Sequence, residues 1–210
     1  MKRILYLLLL LCFTGCTTDN IVINPGAELP PLEKGWVSAA GANWGQRQKA
    51  PLPKEGKSYF FPGVAARAEL VQDVDVNQYA FFIDHGFISG SYSGYVRSFP
   101  QRPADISWQA LEFRGSDGAV IDSFVSGRFD STANWIHIKE NKKLPPGTRI
   151  IKIKLISERH NGSNNDGYHD DISLTLSNSL MRYLIIGIAA VVILITFLLL
   201  RRKKNMRAQI

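Results

Sequence analysis

The chain has 210 residues, 45% of them hydrophobic and 20% charged, with a formal net charge of +7 and two cysteines. Cys12 and Cys16 both fall in or beside an N-terminal apolar run, so no disulfide can brace the remainder and a packed core must hold it. Eight basic residues (Lys2, Arg3, Arg182, Arg201, Arg202, Lys203, Lys204 and Arg207) stand at the two ends, so residues 17–180 carry 17 basic against 18 acidic groups, and the positive total gives no reason to expect a nucleic-acid partner.

Lys2 and Arg3 precede an apolar run over 4–13, then small residues and a cysteine in "FTGC". This is the layout of an export signal, and the run is short for a membrane span, which takes about 20 apolar residues. "FTGC" resembles the bacterial lipobox with Phe13 at the usual leucine position. The resemblance implies cleavage before Cys16 and acylation of its thiol. Ordinary signal-peptidase cleavage nearby is the alternative. The expected signal is 1–16.

From residue 17 onward no repeat and no heptad appears. Short β-prone runs recur between turn signals, at 35–40, 58–62, 68–76, 79–88, 93–99, 107–115, 119–127, 134–140, 148–159 and 170–176. Several alternate: Ile151, Ile153 and Leu155 oppose Lys152, Lys154 and Ile156, and Ile172, Leu174 and Leu176 oppose Asp171, Ser173 and Thr175, the pattern of strands with one buried face. "GSDG" at 115–118 reads as a hairpin turn, and the proline-rich 50–56 as a surface loop. The glycine-, serine- and aromatic-rich stretch 77–95 reads as a bulged strand pair at a rim. Many short strands without helices between them predict an all-β antiparallel jelly-roll β-sandwich over 21–177.

Tyr183 to Leu200 contains no charged residue and is followed by "RRKK". This predicts a transmembrane helix over 183–200 with a basic cytoplasmic tail over 201–210. Together with the signal, the expected place is a bacterial cell membrane, with the main domain on the periplasmic or extracytoplasmic side.

"NPGAE" at 24–28, "GW" at 35–36, "AELVQDVDV", "LEFRGSDGAVI", "LPPGTRIIKIKL" and "NDGYHDDISLTL" together resemble the galactose-binding-like β-sandwich, the jelly roll of many bacterial carbohydrate-binding modules. The resemblance implies a structural Ca²⁺ held by the carboxylates of Glu28 and Asp170, with backbone carbonyls near Asn24 and Asp171 completing an oxygen shell. Ala27 departs from the larger residue common before the glutamate. The bland alternative is that Asp170 and Asp171 cap the strand and accept hydrogen bonds from loop amides.

Motifs for catalysis are missing: no G-x-S-x-G, P-loop, dinucleotide fingerprint or HExxH, and an EF-hand does not fit around Gly167. His160 and His169 flank the Asn-rich turn and with Asp170 would form a transition-metal site only if the fold gathered them. Trp36, Trp108, Phe113 and Trp135 read as core. Trp44, Tyr59, Tyr92 and Tyr95 lie in or beside loops, and Trp44, Tyr92 and Tyr95 are the expected rings for stacking on a sugar, with Arg97 and Asp84 adding hydrogen bonds. The expected function is non-catalytic glycan binding; a protein-interaction or structural envelope domain comes second and a hydrolase third.

Overall fold

The computed structural model describes residues 17–41 and 44–207. The expected signal and the lipidation candidate Cys16 lie outside the described residues. Ten strands follow in order: β1 (Val37–Ala40), β2 (Gly45–Arg47), β3 (Tyr59–Phe61), β4 (Arg67–Asp75), β5 (Ile88–Ser98), β6 (Ile106–Arg114), β7 (Val120–Val125), β8 (Ile136–Lys143), β9 (Ile150–Glu158) and β10 (Gly167–Asn178). They form two five-stranded sheets, ordered β1-β4-β9-β6-β7 and β2-β3-β10-β5-β8. The fold is the all-β antiparallel sandwich that the alternating runs predict.

The period-two pattern places the core. Ile151, Ile153 and Leu155 of β9 are fully buried between the sheets, facing Ile172, Leu174 and Leu176 of the other layer. Burying each such side chain stabilises the fold by about 1.5–3 kcal/mol. On the opposite side of β9, Lys154 pairs with Glu69 and Glu112, whereas Ile156 joins Trp108 and Ala110 in a second, smaller apolar cluster. Two guanidiniums, of Arg128 at 4.2 Å and Arg67 at 5.2 Å, lie over the Trp108 ring. Trp108 is thus buried beneath arginines on the sheet's outer face rather than in the main core. The hairpin expected at 115–118 is present, closed by Gly118 N–H to the Gly115 carbonyl.

One segment departs from expectation. Residues 79–88 are not a strand: a 3-10 turn at Asn77–Tyr79 leads into one turn of α-helix, α1 (Ala80–Asp84). Phe81, Phe82 and Ile83 are consecutive apolar residues, so a strand would put them on both faces; the helical turn buries Ile83 and leaves Phe81 outside. Gly86, at φ +71°, ends the helix in the left-handed conformation that glycine adopts without strain.

The chain divides into two compact units. Asp19–Leu176 is the sandwich. The other holds the chain ends, in which Thr17 bridges Ser177 and α2 (Ser179–Arg207) follows β10 directly. Within α2, the 20 residues Tyr183–Arg202 are long and apolar enough to cross a membrane.

Candidate binding face

The outer side of the sheet β2-β3-β10-β5-β8 gathers aromatic and cationic side chains from all five strands. Arg47 of β2 lies 4.9 Å over the Phe61 ring and donates to Asp166 and to the Tyr168 hydroxyl, each at 3.0 Å. Tyr168 donates in turn to Asp166 at 2.7 Å. Tyr59 packs against Tyr168 at 4.8 Å and Trp135 at 5.6 Å between centroids. Burial pushes the Tyr59 and Tyr168 hydroxyls well above the ordinary tyrosine range, so both rings are neutral at any physiological pH.

Further along the face, the register Tyr95↔His137 between β5 and β8 stacks those two rings face to face, their centroids 4.2 Å apart and the planes within 9° of parallel. His137 is exposed and Tyr95 half-buried. Burial and the neighbouring Lys139 hold the His137 ring below its ordinary pKa, hence neutral. The ammonium of Lys54 stands 4.6 Å over Tyr95. Arg97, two residues along β5, donates to the Thr132 carbonyl at 3.1 Å, and its Nε is buried without a hydrogen-bond partner. Flat rings flanked by cationic donors can stack on an apolar face of a ligand and hydrogen-bond its hydroxyls.

The sequence-based choice of rings needs correction. Trp44 and Tyr92 are 5% and 3% exposed and belong to the core. Glycine and serine around Tyr92 are not loop residues but the two faces of one long strand: Gly90, Tyr92, Gly94 and Val96 point inward while the serines point out. Gly90 leaves room for Leu144 and Gly94 for Gln109 and Ile172, and the Tyr92 hydroxyl donates to Gln109 at 2.9 Å. Asp84 is also elsewhere, before the start of β5, paired with Arg149 at 2.7 Å and accepting from Gly147 N–H. Tyr95 and Arg97 do share the outer face. Trp135, expected in the core, is half-buried beside them, and Tyr59 is fully buried in a strand. His137, Trp135 and Lys54 were not singled out as site residues, because only the strand register brings them to Tyr95.

The loop before β3 lies against this face and is fastened to it. Trp135 donates to the Leu52 carbonyl at 3.0 Å, and Tyr59 to that of Lys49 at 2.8 Å. The N–H groups of Lys54 and Glu55 bond one Asp170 oxygen at 2.7 and 3.2 Å, and those of Lys57 and Ser58 bond Glu28 at 2.8 and 3.1 Å. The loop-amide role foreseen for Asp170 is therefore present. Its carboxyl is pushed up to about 7, chiefly by burial, which these N–H donors only partly offset.

Glu28 and Asp170 converge. A Cβ added to Gly26 would stand 3.5 Å from Asp170 Oδ1 and 3.8 Å from Glu28 Oε1. Asn24, Ala27 and Asp171 around them adopt positive φ, a conformation rare in non-glycine residues. Among the described residues neither carboxylate forms an ion pair, and no cluster of three or more His, Cys, Asp or Glu fit to hold a metal is present. His169 does not join Asp170: strand alternation turns it inward, where it is fully buried beside Ser157 at 3.0 Å and held neutral, its pKa lowered to about 3 by burial. His160 pairs instead with Glu158.

No protein-family model matches this chain, and no curated protein matches it. Solved structures do. The enzymatically active domain of bacteriophage CBA120 tailspike protein 4 superposes with a TM-score of 0.55 at 14% identity over 74% of this chain, which spans only 21% of the tailspike chain. A cyclase from Fischerella sp. TAU matches with a TM-score of 0.53 at 13% identity, covering 78% of this chain and 98% of its own. A family 16 carbohydrate-binding module matches with a TM-score of 0.51 at 16% identity, covering 74% and 99%. Two antiparallel sheets in this arrangement are the β-sandwich jelly roll seen in carbohydrate-binding modules, and that is the fold of this chain.

Proposed function

We propose that this protein is a membrane-anchored, non-catalytic glycan-binding domain of the bacterial envelope. The observation that carries the reading is the Tyr95–His137 ring pair on the outer face of the sheet, with Lys54, Arg97 and Trp135 around it. Backed by Tyr95, the exposed and neutral His137 ring offers a platform for the C–H face of a sugar, and the cations supply donors to its hydroxyls. The likeness in fold to a module that by its description binds carbohydrate supports the reading by analogy alone. In this reading α2 spans the membrane, the tail from 201 stays cytoplasmic, the signal exports the sandwich, and Cys16 carries lipid.

The same reading places a structural Ca²⁺ between the segment 24–28 and β10. What supports it are two convergent carboxylates, one of them buried and without a cation beside it, at a turn where Asn24 and Ala27 take positive φ. Glu28 and Asp170 would hold the ion, with carbonyls near Asn24 and Asp171. Its chemistry there would be electrostatic, neutralising buried charge and tying the segment 24–28 to the last strand.

The test of function is a glycan array probed with the full chain in lipid nanodiscs, since sugar-headed detergents would compete. Binding by the wild type that is lost in Tyr95→Ala supports the proposal. Wild-type protein that binds no glycan moves the reading to a protein partner.

A further inference from the structure

The two ends of the sandwich leave it side by side. Asn20 Nδ2 donates to the Ile172 carbonyl at 2.9 Å, Leu174 N–H donates to Asn20 Oδ1 at 3.0 Å, and Ile21 N–H donates to the Leu174 carbonyl at 3.0 Å. Asp19 therefore departs beside the stretch that runs to Leu176. That stretch lies at the start of β5, because a Cβ on Gly90 would stand 3.7 Å from Leu176 Cδ2 and 3.8 Å from Leu174 Cδ1. Residues 80–87 precede β5, so α1 and its turn extend this same end of the sandwich.

Six residues, 177–182, join Leu176 to Tyr183, the first residue of the apolar span. Even fully extended, six residues reach only about 20 Å. On the membrane-anchored reading, by chain length alone, the end carrying α1 is kept near the bilayer surface.

That end has the chemistry of a lipid contact. Phe81 is 62% exposed, its ring 4.3 Å from His85, which stacks within 5° of parallel on Phe87. The side chain of Lys143 lies against Gly86, its Cε and Nζ each 2.7 Å from where a Cβ would be, and it forms no ion pair among the described residues. Asp84 is neutralised by Arg149, and its other partner, Gly147, has Ile121 beside it, 43% exposed. The other acidic groups at this end are the exposed Asp19, where the chain leaves the sandwich, Asp75 at the end of β4, bonded to Asn77 N–H, and Asp117 in the hairpin turn, bonded to Ala119 N–H.

We propose that the α1 turn is a membrane-surface contact: Phe81 seats in the interface of the bilayer that α2 crosses, with Lys143 at the level of anionic headgroups. Aromatic rings prefer that depth, and an adjacent cation adds attraction to anionic lipid. The proposal rests on the anchored reading, and its test separates the two.

Phe81→Trp in the full chain is reconstituted with phosphatidylglycerol and phosphatidylcholine brominated near the headgroup end of the acyl chain. The expected result is that the added indole emission is blue-shifted and quenched by the bromines, whereas the emission added by Ser163→Trp, in the turn at the opposite end, is not. Should Phe81→Trp melt early, His85→Trp on the same surface replaces it. A chain that resists alkaline carbonate extraction while neither indole near α1 is quenched beyond the Ser163→Trp control overturns this proposal and leaves the anchor standing. A chain that washes off with carbonate overturns both.

Discussion

Tyr92 and Tyr95 are three residues apart on one strand, and the pleat sends them to opposite fates. Tyr92 fills the core and bonds Gln109, so Tyr92→Ala costs about 3–5 kcal/mol of stability, as for other large buried rings, and a urea melt reads it. Tyr95→Ala removes a half-buried ring and changes the melt little, but it removes ligand. Nothing in the composition around these tyrosines separates them; the strict alternation of Gly90, Tyr92, Gly94 and Val96 does, once the stretch is read as a strand. Asp170 gives a second test at this scale. Its folded carboxyl holds a proton more tightly than the unfolded one, so its stability contribution is fully present below about pH 4 and lost as pH rises through about 7. In metal-free buffer, wild type loses stability between about pH 4 and about pH 7 relative to Asp170→Asn. Parallel pH profiles for the two would contradict the burial of a carboxyl that its N–H donors only partly compensate.

The strands were legible where apolar residues alternate, as in β9 and β10, and illegible where packing against another element decides. Five consecutive residues from Ala80 to Asp84 carry no period of either kind, and their helical turn is set by burying Ile83 and by the stop at Gly86. β5 depends on its glycines in the same way. A Cβ at Gly94 would stand 2.5 Å from Gln109 Oε1 and 2.9 Å from Ile172 Cδ1, so Gly94→Ala overpacks the sandwich and costs about 1–3 kcal/mol in a denaturant melt. The junction of the segment 24–28 with β10 is where a cation would act. Calcium at a hundredfold excess over its Kd contributes about 2.7 kcal/mol, or roughly 5–10 °C in the melting temperature of a domain this size. A chelator lowers the melting temperature of the wild type by that amount and leaves Glu28→Gln with Asp170→Asn unmoved. Equal melting with and without chelator leaves the loop amides as the only partners of these carboxylates.

Across the whole molecule, charge has meaning only after it is divided. Basic residues crowd the two ends, and the sandwich between is close to neutral, so the high pI belongs to the ends and says nothing of the ligand. The proposed binding face is half legible: Tyr95 and Arg97 are chosen from the chain alone, but His137, Trp135 and Lys54 reach them through strand register and a loop fastened across the sheet. The central claim is that this face binds sugar, and titration calorimetry of the full chain in nanodiscs with the glycan selected on an array tests it most directly. The account predicts saturable binding by the wild type and none by Tyr95→Ala with His137→Ala, at an unchanged melting temperature. Undiminished binding by the double variant, or no binding of any glycan by the wild type, would contradict it.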